Sequence, residues 1–85
     1  MSDVTIYTTM FCSYCGAAKR LLGEKGIAFT EIDVTMDPAK REEMIERAGG
    51  LRTVPQIFIG SLHVGGSNEL CALEARGKLD ALLTE

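Results

Sequence analysis

The chain's strongest constraint is a strand pattern that hands over to a helix pattern across two cysteines. Val4-Thr5-Ile6-Tyr7-Thr8 is rich in β-branched and aromatic residues, and Cys12-Ser13-Tyr14-Cys15 follows shortly after it. Ala18, Leu21 and Leu22 then recur at the i, i+3, i+4 spacing of a helix face. The first turn of a helix has backbone N–H groups without intrahelical partners and carries the positive end of the dipole. A thiolate at Cys12 is therefore expected to be stabilised there, and Cys15 is within reach to close a disulfide. Such a pair at such a junction suits thiol–disulfide exchange. Two inert buried cysteines would not call for the polar spacer Ser13-Tyr14.

Glycine and proline punctuate the rest. Helix one is expected from about Ser13 to Lys25, stopped by Gly26. Phe29 to Val34 reads as a second strand. Asp37 caps a second helix with Pro38 at its first position, and Met44, Ile45 and Ala48 give it an apolar stripe before Gly49-Gly50. Thr53-Val54-Pro55 leads into the strand Gln56-Ile57-Phe58-Ile59, and Gly60-Ser61 turns it back into Leu62-His63-Val64. After Gly65-Gly66, Ser67 starts a helix carrying Leu70, Leu73 and Arg76. Gly77 interrupts it before Leu79, Leu82 and Leu83. The order β-α-β-α-β-β-α predicts an α/β thioredoxin fold, a four-stranded mixed sheet with helices on both faces. Pro55 has no N–H for a ladder. It is either a strand-entry proline or one half of a cis Val54–Pro55 bond that turns the Val54 backbone toward the cysteines.

At 85 residues a single domain spanning 1–85 is expected. The net charge of −3 disfavours nucleic acid or an anionic membrane as partner. No apolar run approaches the ~18 residues of a membrane span, and Met1-Ser2-Asp3 lacks a signal-peptide pattern. Three cysteines are too few for a disulfide-stapled secreted scaffold, which points to a cytoplasmic, reducing setting.

Taken together, these residues resemble a glutaredoxin of the dithiol class. The match runs through Tyr7-Thr8, Cys12-Ser13-Tyr14-Cys15, Thr53-Val54-Pro55-Gln56-Ile57-Phe58-Ile59 and His63-Val64-Gly65-Gly66-Ser67-Asn68-Glu69-Leu70. The resemblance implies a glutathione-dependent oxidoreductase that reduces protein–glutathione mixed disulfides and protein disulfides, serving electron transport and cell redox homeostasis as a monomer. It makes Cys12 the nucleophile, Cys15 the resolving thiol and Tyr14 a flank of the glutathione sulfur. Thr53, Val54 and Pro55 would meet the cysteinyl unit of glutathione, and Gly66, Ser67 and Asn68 its γ-glutamyl carboxylate. The likeness departs at Ser13, where proline is common, at Thr9, where lysine is usual, and at Asn68, where an acid is frequent. Arg41 is a candidate compensating cation, or simply a solvated surface residue.

Other assignments compete. A [2Fe–2S] cluster held between two chains, each giving Cys12 and a glutathione thiolate, is the alternative implied by the resemblance, with Ser13 favouring it over proline. Otherwise Ser13 is simply a helix N-cap. Zinc on Cys12, Cys15, His63 and Cys71 is disfavoured, because the short ligand spacing of zinc modules is missing. A thioredoxin is disfavoured by the absence of tryptophan. Cys71 is expected as a small, part-buried hydrophobe, and His63 as an outward-facing strand residue rather than a base.

Overall fold

The structure, a computed structural model, describes residues 3–84. Its elements are β1 (Val4–Thr8), α1 (Ser13–Glu24), β2 (Thr30–Asp33), α2 (Pro38–Arg47), β3 (Gln56–Ile59), β4 (Leu62–Gly65), α3 (Ser67–Ala75) and α4 (Leu79–Thr84). They form one four-stranded sheet in the order β2-β1-β3-β4. β1 pairs parallel with β2, to which it is joined through α1, and antiparallel with β3. The β3–β4 hairpin closes the other side. This is the mixed topology that the order of elements predicts.

Alternation along β1 and β3 divides the core. Val4, Ile6, Ile57 and Ile59 face Ala18 and Leu22 of α1, Leu70 of α3, and Leu79 and Leu83 of α4. Tyr7 and Phe58 face the opposite way, against Val34 and against Met44 and Ala48 of α2. Both sheet faces are therefore covered, and the inner strands are buried on both sides. Each fully buried aliphatic side chain contributes roughly 1.5–3 kcal/mol. The α2 face also holds a polar knot. The Tyr7 hydroxyl donates to Glu43 Oε2 at 2.6 Å and accepts from Arg47 Nη1 at 2.9 Å. Burial, followed by the bond to Glu43, raises the Tyr7 pKa above its ordinary value.

Helix ends follow their sequence signals with one exception. Asp37 caps α2 by accepting the Lys40 N–H at 3.0 Å, with Pro38 at the first position. At the end of α1, Gly26 takes φ +69° and the Ile27 N–H returns to the Leu22 carbonyl at 3.0 Å. The exception is the α1 start. Its N-cap is Cys12, extended at φ −136°, and Ser13 is the first helical residue rather than the cap. The second strand is also shorter than the pattern Phe29 to Val34 suggests. Pairing with β1 runs only from Thr30 to Asp33, while Phe29 packs on the α1 side of the core.

Candidate active site

The nucleophile is positioned by the α1 cap. Cys12 Sγ accepts the Cys15 N–H at 3.2 Å and lies 3.7 Å from the Val54 carbonyl, to which its thiol donates. The same sulfur thus touches a helix N-terminus on one side and the Val54–Pro55 segment on the other. That peptide bond is cis. Cys12 is half-buried, whereas Cys15 is only 1% exposed. Burial, then the hydrogen bond with Cys12, pushes the Cys15 thiol up to about 11, against the opposing pull of a backbone bond from Thr9. At neutral pH Cys15 is therefore a protonated thiol. The two cysteines differ by environment and not by chemistry.

Beside Cys12 opens a cleft of about 560 Å³. Tyr14 and Arg41 line it, Thr53, Val54 and Pro55 form a wall, and Gly66, Ser67 and Asn68 form the end at α3. Four separate stretches of the sequence are thereby brought to one cavity. That end is the N-terminus of α3. Glu69 Oε1 accepts the Gly66 N–H at 2.7 Å, which is half of a capping box. Gly65, at φ +113°, lets the chain enter this turn, and a Cβ there would lie 2.9 Å from the Glu69 carboxylate. Arg41 reaches across with Nη2 to the Arg52 carbonyl at 3.3 Å, so it is tied to the cleft wall.

The sequence pattern missed several lining residues: Leu51, Arg52, Gln56 and Glu69. Of the exposed apolar residues it named only Tyr14 as part of the site. Phe11 is 95% and Met36 89% exposed, and Met10, Tyr14 and Leu51 are also exposed. The Met10 N–H donates to Thr35 Oγ1 at 2.9 Å, binding the loop before Cys12 to the loop that carries Met36.

Two expectations are corrected. Cys71 is exposed, because it sits one residue past the inward Leu70 on α3 and so points away from the core. His63 does not face outward. Its ring stacks on Phe58 with centroids 4.9 Å apart, and Nε2 lies 2.7 Å from Gln56 Oε1. Among the described residues, no group of three or more His, Cys, Asp or Glu is gathered as a metal site, and no helix is long and apolar enough to cross a membrane.

Comparison with known proteins agrees with this geometry. Residues 4–64 match the family described as Glutaredoxin. Glutaredoxin 3 of Escherichia coli K12 is 54% identical over 83 residues, covering 98% of this chain and 99% of that protein. A solved structure described as "Metal Binding of Glutaredoxins" is 59% identical, with a TM-score of 0.74, over 98% of this chain and 89% of the other. A buckwheat glutaredoxin–glutathione complex is 28% identical, with a TM-score of 0.87, over 98% and 77% of the two chains.

Proposed function

This chain belongs to the glutaredoxin family and is a glutathione-dependent thiol–disulfide oxidoreductase, and from that premise we propose a division of labour among its residues. Cys12 is the attacking sulfur. Its thiolate displaces the protein thiolate from a protein–glutathione disulfide: the Cys12–glutathione S–S bond forms, the substrate S–S bond breaks, and the released protein thiolate takes up a proton. A second glutathione thiolate then attacks the bound glutathione sulfur, leaving as oxidised glutathione and restoring Cys12. With a protein disulfide, the Cys12 thiolate bonds to one substrate sulfur, the substrate S–S bond breaks, and the other sulfur leaves as a thiolate that takes up a proton. Cys15 loses its proton, attacks Cys12 and releases the second substrate thiol. Two glutathiones reduce the resulting Cys12–Cys15 disulfide.

The observation that carries this assignment is the contrast between a half-buried Cys12 at the helix cap and a buried Cys15 held as a thiol near 11. Part of what raises Cys15 is Cys12 itself. Once Cys12 is locked in a disulfide, that opposition ends and Cys15 ionises more easily. Ionisation of Cys12 ahead of the attack removes the S–H that the Val54 carbonyl accepts. The Val54 carbonyl is then free for an N–H of the glutathione cysteinyl unit. We assign the γ-glutamyl carboxylate to the α3 N-terminus at Gly66, Ser67 and Asn68, with Arg41 as the nearby cation. The apolar rim around Cys12 suits docking of a disulfide-bearing protein segment. The chain is proposed to act as one domain and as a monomer in the cytosol. Recycling assays test the core of this: activity with glutathione and glutathione reductase is expected, and turnover with thioredoxin reductase alone would contradict it.

Ser13 favours a second role. As the first helical residue it keeps an N–H that proline would lack, and such outer hydrogen bonds tune metal–sulfur sites. The donor set fits a cluster only in part. At the cleft one chain offers a single accessible cysteine sulfur, Cys12, with Cys15 buried beside it and the exposed Cys71 away on α3. A [2Fe–2S] cluster would thus need Cys12 from two chains and two glutathione thiolates, supplying ordinary four-thiolate iron ligation. Anaerobic reconstitution with iron, sulfide and glutathione should give a brown dimer that is lost in Cys12→Ser and kept in Cys15→Ser. A colourless monomer would rule this role out.

A further inference from the structure

Gln56 is a costly residue where it stands. It opens β3, whose four residues are all buried, and it is itself 1% exposed. An amide there must be bonded to be tolerated, and every polar atom of it is. Nε2 donates to the Thr53 carbonyl at 3.0 Å and to Thr53 Oγ1 at 3.1 Å, while Oε1 meets His63 Nε2 at 2.7 Å. The direction of these bonds is forced. The Thr53 carbonyl can only accept, so the amide nitrogen faces it and the amide oxygen faces His63. His63 must then present Nε2–H, which the neutral Nε2–H form and the imidazolium both do. Thr53 Oγ1, already accepting from Gln56, keeps its own hydrogen for a partner in the cleft. His63 is fixed in turn by its stack on Phe58, and the Arg47 guanidinium lies 4.2 Å from the Phe58 ring centre. A line of contacts therefore runs from the β4 edge of the sheet through Gln56 to the cleft wall.

We propose that Gln56 and His63 are positioning residues for the glutathione moiety: they hold Thr53 so that its hydroxyl donates into the cleft, and they thereby set the preference for glutathionylated over other mixed disulfides. This rests on the assignment of the cleft to glutathione. Neither residue meets the reacting sulfur, and the β4 residue acts through two intermediaries. The two work in series, so removing both costs no more than removing Gln56 alone.

The test compares one peptide carrying either glutathione or free cysteine as its mixed disulfide. kcat and KM are measured for wild type, Gln56→Leu, His63→Phe and the double variant. His63→Phe keeps an aromatic ring against Phe58 and leaves β3 untouched, so it serves even if Gln56→Leu folds poorly. KM for the glutathionylated peptide should rise roughly three- to tenfold in either single variant, as expected for losing one or two neutral hydrogen bonds. The rise in KM should exceed any fall in kcat. The iodoacetamide reaction rate of Cys12 should match wild type in His63→Phe. The double variant should equal Gln56→Leu. KM values that move together for both peptides, or losses that add in the double variant, would overturn the relay. A wild-type chain with no preference between the two peptides would instead overturn the glutathione assignment beneath it.

Discussion

Two helices begin at the same cleft and use their first turns differently. At α1 the N-cap is Cys12, and its sulfur accepts the Cys15 N–H, with no acidic residue in the first turn. At α3 the Gly66 N–H is taken by Glu69, an acid in the first turn. Both satisfy an orphan donor. Only the second does so in the ordinary protein way, with a carboxylate that stays put. The first gives its donor to a group that must react, and an acid beside it would oppose a thiolate. The lesson is that one electrostatic device, a helix N-terminus, serves reactivity at α1, where the first turn holds no acid, and at α3 is shared between the Glu69 cap and the carboxylate proposed to bind there.

The largest expected effect breaks the α1 side. Cys12→Ser should reduce turnover of glutathionylated peptide to background, while Cys15→Ser still turns over because external glutathione resolves the intermediate. Equal loss in both variants would contradict the assigned roles.

The next prediction concerns pH. Cys15 has a folded pKa near 11, above the ~8.5 of a free thiol. A raised folded value means the folded state holds its proton more tightly. The associated stability is present below about 8.5 and is lost as pH rises through 11, on the order of 2–3 kcal/mol. Urea melts between these limits should show that decline, and Cys15→Ser should flatten it.

On the α3 side, Gly65→Val forces a side chain into φ +113° and against Glu69. Destabilisation of about 1–3 kcal/mol is expected, read as a lower denaturation midpoint. Glu69→Ala removes only the cap bond and should cost about 0.5–1.5 kcal/mol, with Cys12 alkylation unaffected. A change in Cys12 reactivity there would show that the two helix starts are not independent. The smallest effect adds a charge to the α1 side. Thr9→Lys should tighten glutathione binding by roughly 0.5–1 kcal/mol, measured by calorimetry on the Cys12→Ser variant.

Much of this was legible because the site is built at element boundaries, where sequence speaks most clearly. Cys12 and Cys15 lie at a strand–helix junction, Thr53 to Pro55 at a strand entry, and Gly66 to Asn68 at a helix start. Their types are unusual for those places, and so they stand out. Gln56 did not stand out, since a polar residue at a strand's first position normally faces water, and only the packing of β1 and β4 buries it. His63 was misplaced because its distance in sequence from the cysteines was the guide, whereas the hairpin register sets it opposite Phe58, on the same face of the sheet as that buried ring. Cys71 was misjudged by treating its neighbour Leu70 as a guide, although adjacent helix residues face about 100° apart. Phe11 and Met36 look like core residues by type. They sit instead on the loops that follow β1 and β2, outside both core clusters.

The central claim is that environment alone makes Cys12 the attacking sulfur and Cys15 the reserve. Peptide-mapped mass spectrometry after exposure to oxidised glutathione tests it most directly, because the exposed Cys71 must be distinguished from the other two. In Cys15→Ser the account predicts a stable glutathione adduct on the peptide carrying Cys12. In Cys12→Ser it predicts none on Cys15. An adduct on Cys15 that forms as readily as the one on Cys12 would contradict it.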